Sequence, residues 1–190
     1  EILKRDQYHE KALAAKYELL ARKGDAAGLE EVAKLMQAGA PEKDGGYVRE
    51  ARLRAAQKDF AAALEILDQL LERSPDSMQG LLAKTDVLVA QKQYNEAIKV
   101  TDRIIELQPD SAEGYYRKAR LLQEQGDIDA ALTYYDTAIE KDPQSEQVLT
   151  ELTKLSISSG RTDEVRARLQ RLLETDSEHP SANGLIGLIY

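Results

Sequence analysis

Imidazole, thiol and closely paired carboxylate side chains carry most acid–base, nucleophilic and metal chemistry in proteins. This sequence offers few of them, with 2 histidines and no cysteine among 190 residues. His9 and His179 stand near opposite ends, in segments that read as loops, and neither has a second donor at metal-ligand spacing. The absence of thiols removes disulfides, thiolate catalysis and Cys-ligated zinc together. Carboxylates neighbour one another at Glu30 with Glu31 and at Glu140 with Asp142, but in a chain with 34 Asp+Glu and 26 Lys+Arg they read as solvated faces. Gly45 and Gly46 follow Asp44 with no strand pattern before them, so the setting of a phosphate-cradling loop fails. These residues predict no catalytic set, no metal site and no cofactor, and therefore a non-enzymatic function.

Composition narrows the partners. A formal net charge of -8 opposes the basic face that phosphate neutralisation needs, so nucleic acid is not an expected partner. Hydrophobic residues at 42% suffice for folding, while charged residues at 32% imply a thin core under a large solvated surface. No run approaches the roughly 18 apolar residues of a spanning helix, which predicts no direct membrane insertion. The first residues, EILKRDQYHE, do not resemble a signal peptide, and a start at Glu1 rather than Met leaves room for a leader or a longer preceding region.

The elements that must position any site are repeated. Pro41, Pro75, Pro109 and Pro143 follow one another at intervals of 34 residues, three of them within the related strings LLERSPDS, IIELQPDS and AIEKDPQS. Blocks beginning at Glu10, Asp44, Met78, Ala112, Glu146 and Pro180 align without insertion or deletion, the mark of a repeat architecture. The twentieth column (Leu29, Ala63, Ala97, Ala131, Val165) and the eighth (Tyr17, Ala51, Thr85, Ala119, Thr153, Gly187) are mostly small. The tenth (Leu19, Leu53, Val87, Leu121, Leu155, Ile189) is aliphatic throughout and predicts core. Within a block, Tyr115, Ala119, Leu121 and Leu122 keep helical spacing up to Gly126-Asp127, and Ala131, Leu132, Tyr135, Ala138 and Ile139 resume it. Each block is thus a helix hairpin. The break holds Gly24-Asp25, Gly126-Asp127 or Gly160-Arg161 in three blocks and Lys58-Asp59 or Lys92-Gln93 in the others. At block boundaries Pro stops one helix, and a polar residue such as Asp76, Asp110 or Gln144 is expected to cap the next. Strand patterns are absent.

These columns resemble the tetratricopeptide repeat family, whose 34-residue unit has a bulky residue at position 4, small ones at 8 and 20, an aromatic at 17 or 24 and Pro at 32. The match is closest in GYYRKARLLQEQGDIDAALTYYDTAIEKDP, through Tyr115, Ala119, Ala131, Tyr135, Ala138 and Pro143, and nearly as good through Leu81, Leu88, Tyr94, Ala97 and Pro109. Leu29 and Val165 depart from the small column, and Gln7 and Ser177 from Pro. The resemblance implies an all-α, right-handed superhelical solenoid of antiparallel helix hairpins. It divides the chain into the end of a preceding repeat (1–9), repeats at 10–43, 44–77, 78–111, 112–145 and 146–179, and the first helix of a truncated sixth (180–190), as one continuous array. Neither end has the polar capping helix of a terminal repeat, which suggests a piece of a longer array and weak self-association through the truncated ends.

In this family the first helix of each hairpin faces a concave groove through positions 2, 5, 6, 9, 12 and 13. That places Val48, Arg49 and Arg52 of the second block, Leu82, Asp86 and Val89 of the third, and Tyr116, Arg117 and Arg120 of the fourth in a peptide-binding groove. Two arginine pairs then flank an apolar strip of Val48, Leu82, Val89 and Tyr116. Arginine suits bidentate capture of carboxylates, and tyrosine anchors interfaces, which together fit a peptide with acidic and apolar side chains. The plainer reading is that Asp86 pairs with Arg52 or Arg120 and the arginines only solubilise the groove. A branch of the family captures chaperone C-terminal carboxylates through Lys, Arg and Asn; no Lys or Asn occupies these positions in the second to fourth blocks, which disfavours that activity. The resemblance implies a scaffold that binds a protein or peptide partner within a larger multi-repeat protein. The alternative is a structural spacer or self-associating assembly module, a role such arrays also take in bacterial envelope export and secretion systems.

Overall fold

The computed structural model describes residues 2–40 and 43–189. Pro41 and Tyr190 lie outside the described residues. Every regular element among the described residues is an α-helix. A short α1 (Ile2–Arg5) is followed by the pairs α2 (Glu10–Lys23) with α3 (Ala26–Gly39), α4 (Asp44–Ala56) with α5 (Phe60–Arg73), α6 (Met78–Ala90) with α7 (Tyr94–Leu107), α8 (Ala112–Gln125) with α9 (Ile128–Lys141) and α10 (Glu146–Ser158) with α11 (Thr162–Thr175), and by α12 (Pro180–Ile186).

Local chemistry sets the helix ends. Within hairpins the turn needs one residue in the left-handed region. Gly24, Gly126 and Gly160 supply it at φ 68°, 83° and 76°, while Lys58 and Lys92 adopt it at φ 63° and 59° despite their Cβ atoms. The aspartates that follow, Asp25, Asp59 and Asp127, accept the backbone N–H of Gly28, Ala62 and Ala130 and so cap the second helices. Between hairpins the cap falls one residue later than the sequence reading placed it. Ser77 and Ser111, rather than Asp76 and Asp110, accept the N–H of Gly80 and Glu113, and Ser145 rather than Gln144 occupies the N-cap of α10.

The described residues form two compact units, one ending at Val100 and the other beginning at Thr101, so the division falls inside α7. In the first unit, Leu13, Val32 and Met36 form one cluster, and Tyr47, Val48, Ala51, Ala63, Leu67, Leu70, Ala83 and Val87 another. In the second, Tyr116, Ala119, Ala131, Tyr135, Ala138, Leu149, Leu152 and Leu169 belong to a single core. Within each unit the small columns lie where paired helices touch, with Ala51 and Ala63 in one and Ala119 and Ala131 in the other buried completely. The aliphatic tenth column is buried from Leu53 onwards, whereas Leu19 is 53% exposed, because only the four-residue α1 precedes its helix.

A third column completes the packing. Position 3 is Gly46, Gly80 and Gly114 in successive blocks. A Cβ at Gly46 would meet the Gln37 backbone nitrogen at 2.7 Å, and one at Gly114 the Ile105 Cγ1 at 2.7 Å. Absence of a side chain there lets each first helix approach the second helix of the preceding block. Charged pairs lie beside these seams. Lys84 Nζ reaches Asp68 Oδ1 at 2.6 Å in the first unit, and Lys118 Nζ reaches Asp102 Oδ1 at 2.6 Å in the second. Both pairs join position 7 of one block to position 25 of the block before. At the next seam Leu152 replaces the lysine; Asp136 pairs instead with Arg168, and its buried Oδ1 has no hydrogen-bond partner among the described residues.

Candidate functional site

The exposed face of the first helices follows from which residues each helix buries. Along α4, Tyr47, Val48, Ala51 and Leu53 face the core while Arg52 and Ala56 face solvent. Position 9 is exposed in every block, as Glu18, Arg52 and Asp86 in the first unit and Arg120, Lys154 and Leu188 in the second.

In the first unit the arginines gather about Tyr17. The Tyr17 hydroxyl donates to the Arg49 carbonyl at 3.1 Å, and the Arg49 guanidinium lies over the Tyr17 ring, 5.6 Å from its centroid. Arg49 Nη1 also donates to the Gly45 carbonyl at 3.1 Å, which fixes the side chain along its own helix. Burial pushes the Tyr17 phenol above its ordinary range, against an opposing pull from both Arg49 and Arg52. Arg52 is exposed and forms no ion pair among the described residues. The third arginine of α4 serves structure, since Arg54 Nη2 pairs with Glu30 at 2.8 Å and with Glu50 at 3.7 Å. Val89 is exposed and Leu82 half-buried, with Asp86 exposed between them. Val48, expected in the groove, is 4% exposed and belongs to the core.

The second unit treats its candidates differently. Tyr116 is 8% exposed; its ring stands 6.0 Å from that of Tyr135, and its hydroxyl accepts from Gln147 Nε2 at 2.6 Å. It is a packing residue rather than an open anchor. Tyr135 in turn donates to Gln123 Oε1 at 2.9 Å, and burial holds its phenol far above the usual range. Arg117 Nε donates to Glu113 Oε1 at 2.5 Å, one helical turn back, and the exposed Arg120 lies 5.8 Å over the Tyr116 ring.

Position 5 is therefore buried at Val48 and Tyr116 and half-buried at Leu82, while position 9 is exposed. Tyr17 stands in the sequence only as one member of a mostly small column. A bulky aromatic in that place was the signal. The histidines have a different use. His9 Nδ1 accepts the N–H of Ala12, and His179 Nδ1 that of Ala182, each at 3.3 Å, at the place that Ser77, Ser111 and Ser145 take in three other blocks. His179 is 1% exposed, and its Nε2–H donates to the Pro143 carbonyl at 2.8 Å. Glu30 and Glu31 face separate cations, Glu30 with Lys34 and Arg54, Glu31 with Lys16. Among the described residues no group of three His, Cys, Asp or Glu side chains could hold a metal ion, and no helix is long and apolar enough to cross a membrane.

Family models described as tetratricopeptide repeat match residues 48–112, 86–150 and 122–189. The chain belongs to the tetratricopeptide repeat family. No curated protein matches it in sequence. Among solved structures, MamA (41-end) from Desulfovibrio magneticus RS-1 aligns over 90% of this chain and 96% of its own, at 16% identity and a TM-score of 0.67. A thermophilic tetratricopeptide repeat protein from Thermus thermophilus aligns over 95% and 98%, at 17% identity and a TM-score of 0.65. At these identities the likeness is one of fold, a helical-repeat solenoid. Such repeats present helix faces rather than a catalytic cleft, so the fold and family are those of a protein-interaction scaffold.

Proposed function

We propose that this tetratricopeptide array docks a peptide or protein segment bearing acidic and apolar side chains, with the exposed first-helix face of residues 10–100 as its main contact. The observation that carries the reading is the pairing of Arg49, held by the Gly45 carbonyl and the Tyr17 ring, with the exposed Arg52. One guanidinium is already oriented and the other is open, so a carboxylate gains charge-assisted hydrogen bonds at a reduced ordering cost. Val89 and the half-buried Leu82 supply apolar contact. In the second unit Arg117 is already engaged by Glu113, which leaves Arg120 as the weaker contributor there. The function is binding and not catalysis.

Fluorescence anisotropy with a panel of short Glu/Leu peptides, and the same panel with Lys in place of Glu, tests this. The acidic panel should bind and the basic one should not. Arg49→Glu with Arg52→Glu should abolish binding, and Arg117→Glu should change it little. Equal binding of both panels, or binding indifferent to the Arg49/Arg52 reversal, would place the contact on another surface. A second reading, weak self-association, draws on the 53% exposed Leu19 and the 74% exposed Leu188. Sedimentation that stays monomeric at high concentration would end it.

A further inference from the structure

The chain contains two asparagines, Asn95 and Asn183, and only the second precedes a glycine. Asparagine is thermolabile, and a following glycine, which has no Cβ, offers least hindrance to attack by its own backbone nitrogen. Asn183 is exposed on α12, and a Cβ built on Gly184 would find nothing within 4 Å, so no neighbouring element packs over Gly184. Two contacts oppose reaction. The Asn183 N–H donates to the His179 carbonyl at 3.0 Å, and its side-chain Nδ2 donates to the Ser177 carbonyl at 3.0 Å. Helical backbone also keeps the Gly184 nitrogen away from the Asn183 Cγ. α12 has only 7 residues, far short of the roughly 12–15 at which an isolated helix becomes marginal in water. It rests on its cap at His179 and on the burial of Ala182.

We propose that Asn183-Gly184 is a site of spontaneous covalent modification, deamidation through a succinimide, gated by opening of α12. In the opened turn the deprotonated Gly184 amide nitrogen attacks Asn183 Cγ; the N–Cγ bond forms, and the Cγ–Nδ2 bond breaks with release of ammonia. Water then adds to either succinimide carbonyl and opens the ring to aspartate or isoaspartate, with no redox change. The product gains a negative charge and loses the Nδ2 donation to Ser177. Isoaspartate also adds a methylene to the main chain, which the helical turn cannot accommodate. One modification event therefore loosens α12 permanently from α11.

The test is timed incubation of the full chain at mildly alkaline pH, followed by peptide mass mapping and separation of aspartate from isoaspartate. Asn183 should convert many-fold faster than Asn95. Gly184→Ala should suppress the conversion. His179→Ala, which removes the cap without touching the reacting atoms, should accelerate it several-fold, and His179→Ser, which restores the acceptor found at Ser77 and Ser111, should bring the rate back towards that of the parent. Conversion at Asn183 no faster than at Asn95, or undiminished in Gly184→Ala, overturns the site. A rate equal in the parent, His179→Ala and His179→Ser overturns the gating.

Discussion

A missing side chain carries as much information in this chain as a present one. At Gly46 the would-be Cβ meets backbone, which cannot swing aside, whereas at Gly184 it meets open space. Both glycines are helical, so the intrinsic gain on substitution by alanine is similar, about 0.5–1 kcal/mol. Gly184→Ala should show that gain as a raised melting temperature. Gly46→Ala should lose it and more, with overpacking costing about 1–3 kcal/mol. Thermal melts of the two variants in opposite directions are the expected result. Asp136 gives a second residue-scale test. Burial raises its carboxyl above the ordinary range, against the pull of Arg168. A raised folded-state value means that the folded chain binds the proton more tightly than the unfolded chain. The ionised carboxylate therefore costs stability at neutral pH, and the cost is relieved as pH falls through the folded value. Asp136→Asn should melt no lower than the parent at neutral pH, and any advantage should shrink in acid. The small eighth and twentieth columns were legible from the 34-residue alignment alone. The Gly46, Gly80 and Gly114 column is equally periodic, but glycine just after a block boundary reads as part of the loop until its packing neighbours are known.

At the scale of elements, the hairpin depends on contact between its two helices. Ala131 is fully buried between α8 and α9, so Ala131→Leu should cost about 1–3 kcal/mol, while the exposed Gln144→Ala should be nearly silent. Equal melting temperatures for the two would contradict the packing described. The turns offer an opposite experiment. Lys58 holds the left-handed conformation in which its Cβ is crowded, and Gly at the equivalent turn is free of that strain. Lys58→Gly should raise stability by about 1 kcal/mol, read from a denaturant midpoint shift at constant slope. Helix pairs were visible in the sequence because Gly-Asp and Lys-Asp punctuation interrupts an unbroken 3.6-residue rhythm. Caps were misplaced by one residue because Asp76 and Ser77 have similar capping propensity, and only backbone geometry selects between them.

Over the whole molecule, charge is unevenly shared. Residues 1–100 hold 16 Lys+Arg against 17 Asp+Glu, and residues 101–190 hold 10 against 17. An acidic ligand of the proposed kind is therefore repelled less by residues 1–100 than by residues 101–190. Its affinity should fall as salt rises, since exposed charges are screened over about 10 Å at roughly 0.1 M, and Arg52→Glu should flatten that dependence. Titrations across a salt series check both. The arginines of the proposed contact were legible as positions 6 and 9 of the first helices. Val48 and Tyr116 were not legible as core, because the burial of position 5 differs from block to block, from the half-buried Leu82 to the exposed Gly184.

The seam pairs bear on how such a gene can change length by unequal crossing-over. Loss of residues 78–111 would bring Asp68 to the register of Lys118 and restore a lysine–aspartate seam of the kind that Lys84 now makes. Loss of residues 112–145 would bring Asp102 to the register of Leu152 and recreate the poorly matched carboxylate of Asp136. Either deletion thus leaves one lysine–aspartate seam and one carboxylate facing Leu152, so by its seams the array should tolerate the loss of either block alike.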